Sequence, residues 1–115
     1  MKTSSDPRHQ ERITRVQALF AHSYNTAPVD SIDQIIKHLE SIDEKIHTAA
    51  PERPLKDVSR IDLAILRNAT YELLYDKDTP SKVVVDEAVE IGKTYGAEST
   101  SSFVNGVLGT ILKSL

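Results

Sequence analysis

The sequence predicts an all-α protein, a compact bundle of about five helices. Apolar residues recur at spacings of three and four along nearly the whole chain, and no segment alternates apolar and polar with period two. Short stretches rich in Pro, Gly, Asp and Ser interrupt the periodic ones. A length of 115 residues suits one domain, with residues 1–7 expected to be flexible.

The first helix is predicted over about 8–24, with Ile13, Val16, Leu19, Phe20 and Tyr24 forming one stripe. Asn25 to Pro28 break it. Asp30 or Ser31 can cap a second helix, which carries Ile32, Ile35, Ile36, Leu39, Ile42 and Ile46 and turns an acidic back to solvent. Pro51 and Pro54 end that helix, because two prolines so close cannot both sit inside one. The third helix, from Asp57 or Ser59 to Tyr75, is apolar around much of its circumference and is expected at the centre. Thr79 and Pro80 predict the start of the fourth, a capping hydroxyl followed by a proline at the first helical position. Gly96 should close it in a left-handed conformation. The fifth begins between Ser99 and Ser102 and packs Phe103, Val107, Leu108, Ile111 and Leu112. Segment 25–57 has room for one helix, so a reduced N-terminal bundle of two helices is expected to pack on a C-terminal three-helix unit.

Composition narrows the function. The chain has no cysteine, which removes disulfides and thiol chemistry and fits a reducing cytoplasm. Residues 1–7 do not resemble a signal peptide, no apolar run approaches a membrane span, and a cytoplasmic location is expected. The four histidines are scattered without metal-ligand spacing, and Asp86, Glu87 and Glu90 read as a solvated helix face. No catalytic set, cofactor site or metal site is expected.

A net charge of −3 argues against binding nucleic acid through bulk positive charge, yet the charge is uneven. Residues 1–24 hold four Lys/Arg against two Asp/Glu, whereas 25–52 hold two against six. Arg8, Arg12 and Arg15 share one side of the first helix, with Lys2 and His9 nearby. On spacing alone they read as a phosphate-binding strip or as a solvated face. Ser99 to Ser102 place four hydroxyls at a helix start, followed by Phe103. That pattern fits a single-stranded RNA site with a stacking ring, or capping beside a core phenylalanine.

The run Arg67-Asn68-Ala69-Thr70-Tyr71-Glu72, then Asp86-Glu87-Ala88-Val89-Glu90, Lys93-Thr94-Tyr95-Gly96 and Phe103-Val104-Asn105-Gly106-Val107-Leu108 resembles the C-terminal half of the NusB family of transcription antitermination factors. Arg12 to Phe20 resembles the family's first helix. His9, Gln10 and Glu11 dilute the arginine run usual there, and segment 25–57 is short, so the chain reads as a short variant. The resemblance implies transcription antitermination by binding boxA-type single-stranded RNA together with NusE, a small-subunit ribosomal protein, and indirect engagement of RNA polymerase and other Nus factors. It implies RNA contacts from Arg8, Arg12, Arg67 and Phe103, with Lys2, His9 and Ser99, and NusE contacts from Phe20, Asp62 and Glu72. The diluted arginines and acidic second helix leave an alternative: an interaction module of the same fold that self-associates, as a homodimer, and has lost RNA binding. An appendage of an RNA methyltransferase is not expected, since no cofactor-binding domain is seen in the sequence.

Overall fold

A computed structural model describes residues 6–24 and 30–115. Among the described residues there are six α-helices and no strand: α1 Pro7–His22, α2 Asp33–Lys37, α3 Leu39–Ala49, α4 Arg60–Tyr75, α5 Ser81–Tyr95 and α6 Thr100–Lys113. Short 3₁₀ turns precede α2 and α4. No helix among the described residues is long and apolar enough to cross a membrane. The expected break at Asn25 to Pro28 lies outside the described residues.

The predicted second helix is two. His38 (φ −108°, ψ 14°) leaves helical geometry, and its N–H bonds the Ile35 carbonyl three residues back. The cause is tertiary: the His38 ring stacks on Tyr75 of α4 with centroids 4.0 Å apart, and Ser41 meets the Tyr75 hydroxyl at 2.7 Å. Two start and stop expectations are also corrected. Pro80 itself occupies the N-cap of α5, and no Thr79 hydroxyl cap forms. Gly96 is extended rather than left-handed (φ −94°, ψ −174°). It must be glycine because a Cβ there would lie 2.5 Å from the Thr100 side chain, so close packing sets the residue.

α4 is the hub, as its apolar girth predicts. α1 and α3 each pack on α4, while α4, α5 and α6 pack mutually as the three-helix unit. The N-terminal elements also pack on one another, α1 on the 3₁₀ turn before α2 and α2 on α3. One continuous core joins Val16 and Leu19, Ile42 and Ile46, Ile65 and Leu66, Ile91, and Leu108 and Ile111 from five helices. Each such side chain contributes about 1.5–3 kcal/mol on burial.

Candidate functional site

The first charged face lies inside the molecule. Arg12 is one turn before Val16 on the core stripe of α1, and its guanidinium is buried. It donates to Glu72 of α4 from Nε and Nη2 at 2.9 and 2.8 Å, and to Glu87 of α5 from Nη1 at 3.3 Å. Arg15 reaches Asn68 at 2.9 Å, Glu11 at 2.8 Å and Glu72 at 3.4 Å. His9 Nδ1 meets Glu87 at 3.2 Å. Burial opposes the charge on Arg12, but its bonds to Glu72 and the charges of Glu72 and Glu87 outweigh that and hold its pKa above the usual range. Arg12, Arg15, Glu72 and Glu87 thus form a charge-balanced clamp across three helices. Arg12 is not part of an exposed strip, and Glu72 is no surface residue. Both belong to this clamp.

Arg67 is likewise engaged, in a bidentate pair with Asp43 of α3 at 2.9 Å for each bond. Arg8 is exposed and makes a 3.5 Å pair with Asp6. The Asp6 carboxylate caps α1 by accepting the Arg8 N–H at 2.9 Å, and that bond and the Arg8 guanidinium draw its pKa below the usual range. Arg8 opens onto a cleft whose rim includes Asp78, Asp86 and Glu87, an acidic setting for a phosphate. Lys2 lies outside the described residues.

Phe103 is at the other end of α4. Its ring is half-buried against the core, and the Arg53 guanidinium from the α3–α4 loop lies over it, 4.3 Å from the centroid. Ser99, exposed, is the N-cap of α6 without a side-chain capping bond. Thr100 does the local structural work: its hydroxyl accepts from the Ala97 N–H at 2.9 Å and donates to Asp62 at 2.6 Å. Asp62 is buried by that bond, so its expected place on a partner surface is corrected to a link between α4 and α6. Arg8 lies beside the α4–α5 loop and Phe103 beside the α3–α4 loop, so α4, about 24 Å long at 1.5 Å per residue, lies between them. The structure brings His9 and Arg12 together on Glu87 and Ser99 together with Phe103, but sets these two groups apart.

Phe20 is where a partner surface is physically available. It is 36% exposed and lines an apolar cleft of about 380 Å³ with Ile13, Val16, Gln17, Ile61 and Tyr95. Tyr95 and Ile61 were not singled out by sequence reasoning. The signal for Tyr95 is an aromatic one turn after the buried Ile91, at a helix end flanked by polar residues.

Among the described residues no group of three or more His, Asp or Glu could hold a metal. The balanced interior charge, the exposed apolar cleft and the Arg-covered ring define a small all-helical protein with two surface features open to a partner. The NusB family model matches residues 29–113. A NusB antitermination protein of Pseudothermotoga lettingae is 54% identical over 80 residues, which take in 70% of this chain and 57% of that relative. One from Clostridium botulinum is 35% identical over 116 aligned positions, taking in 97% of this chain and 81% of the relative. A crystal form of T. maritima NusB superposes with a TM-score of 0.81 at 35% identity, over 98% of this chain and 93% of that one. A chain from a crystal structure of a plectonemic RNA supercoil superposes with a TM-score of 0.78 at 23% identity, over 93% of this chain and 94% of that one, a likeness of fold alone. The chain belongs to the NusB family, whose members matched here are transcription antitermination proteins.

Proposed function

We propose that this protein is a cytoplasmic transcription antitermination factor that binds boxA-like single-stranded RNA with NusE, and through them engages RNA polymerase and other Nus factors. The observation that carries this is the family match across the helices that hold Phe103 and Tyr95. RNA then meets Phe103, with Ser99 beside it. Arg8, His9, Lys2 and Arg67 serve as secondary contacts. NusE occupies the apolar cleft around Phe20.

Two features fit this assignment. An aromatic ring at a helix start offers sequence-tolerant stacking, and a cleft walled by Phe20, Ile61 and Tyr95 suits an apolar protein anchor. Four of the six arginines pair with carboxylates of this chain, so the salt dependence should be shallow. Three to five phosphate contacts give a slope of log K on log salt of roughly −2 to −3.5.

The test is to titrate the protein, with and without NusE, into a boxA-like RNA and a scrambled control. Preferential binding of the boxA-like RNA, strengthened by NusE, is expected. Equal, weak binding of both RNAs would favour the second reading, a self-associating module without RNA binding. The neutralised arginines favour that reading, and sedimentation would then show a dimer closed through the Phe20 cleft.

A further inference from the structure

We propose that Arg53 is an RNA-contacting residue that extends the Phe103 ring into a two-layer stacking platform; this rests on the RNA-binding reading above. Of the six arginines, five engage an oxygen of this chain: Arg8 with Asp6, Arg12 and Arg15 with Glu72, Arg60 with the Ser23 carbonyl, and Arg67 with Asp43. Among the described residues Arg53 has no such partner. Its guanidinium lies over the Phe103 ring, 4.3 Å from the centroid, on an exposed loop. Its guanidinium N–H donors are therefore unspent against the described residues, although Glu52 and Asp57 are close in sequence.

The loop is built to hold it there. Pro51 and Pro54 fix φ on either side, and a residue before proline is confined to extended backbone. The Arg53 N–H bonds the Ala50 carbonyl at 3.1 Å, and the Asp57 N–H bonds that of Pro54 at 2.9 Å. Buried Ala50 and Val58 anchor the two ends. Ordering costs little on binding when the loop is already set.

A guanidinium is planar, weakly hydrated and always charged, so one face can rest on Phe103 while the other receives a base. Its edge then donates to the phosphate next to that base. With the ring covered, a base reaches Phe103 through Arg53 and not directly. This also gives the Phe103 end a cation that the α1 strip, locked in its clamp, does not provide.

The experiment compares wild type with Arg53→Ala, Arg53→Lys, Phe103→Ala and the double alanine variant, titrated with boxA-like RNA over a salt series, with circular dichroism checking the fold. Arg53→Ala should bind about five- to tenfold more weakly. Its salt slope should be shallower by about 0.7, one phosphate contact. Arg53→Lys should keep the slope and lose part of the affinity. The double variant should lose less than the product of the single losses, because both side chains serve one base. Unchanged affinity and slope for Arg53→Ala, with Phe103→Ala still impaired, overturns the inference and leaves the RNA reading standing. Tighter binding by Arg53→Ala overturns it too, since the guanidinium then only covers the ring. No binding of RNA by wild type removes both.

Discussion

Arg12 and Glu72, sixty residues apart in sequence, face each other in the interior with bonds of 2.8, 2.9 and 3.2 Å. The geometry is bidentate, and Asn68 donates to the carboxylate oxygen beside it at 3.1 Å. A charge pair so enclosed contributes little net stability over an apolar pair, but removing one partner leaves the other charge buried and alone.

Arg12→Ala should accordingly destabilise the protein by about 3–5 kcal/mol, because Glu72 loses its bidentate partner and keeps only the longer 3.4 Å contact of Arg15, while Glu87 loses its bond to Arg12. Chemical unfolding measures this directly. A cost below about 1 kcal/mol would show that the clamp is solvated.

Acid should loosen α1 through its cap. The Asp6 carboxyl lies below its usual range in the folded protein, so its contribution is fully present above the ordinary carboxylate pKa of about 3.9 and is lost as pH falls through the lower folded value. The stability gap between wild type and Asp6→Ala should be widest near neutrality and close in strong acid. A gap that stays constant down to the lowest pH excludes the cap as its source.

Phe20→Ala should weaken NusE binding by about 2 kcal/mol or more while costing less than about 1.5 kcal/mol of stability, since the ring is 36% exposed. Asp62→Lys is the contrasting variant. It buries a cation and breaks the bond to Thr100, so it should lose helical content before any partner effect can be read. Calorimetry with circular dichroism separates the two.

Phe103→Ala should cost about 1–2 kcal/mol of stability, less than the 3–5 kcal/mol of a fully enclosed aromatic, because the ring is only half-buried. Its RNA affinity should fall by about 1–3 kcal/mol. A melting-temperature loss of core size with RNA affinity per folded molecule unchanged would assign the ring to packing alone.

The helices were legible because burial imposes its period on the sequence, and α4 announced its central place by being apolar around much of its circumference. The kink at His38 was not, since its cause is a ring 37 positions away in the chain. The arginine strip was misread for a related reason. Spacing shows that Arg8, Arg12 and Arg15 share a side, but not what covers it. A usable signal was present: Arg12, Val16 and Leu19 fall on one stripe, and Glu72 and Glu87 sit beside core residues of their own helices. Arg53 carried no periodic signal, because loop residues follow none.

The clamp also sets an order of events during synthesis. α1 emerges before α4 and α5, yet the two carboxylates that neutralise its buried arginine are at positions 72 and 87. At about 5–20 residues per second, the ribosome needs roughly 3–13 s to extend the chain from the end of α1 to Glu87. Until residues 60–75 and 81–95 have been made, the apolar stripe of α1 has no complete α4 and α5 to lie against. α1 is thus made well before the helices that secure it, and a chaperone that shelters the nascent chain would find its target there.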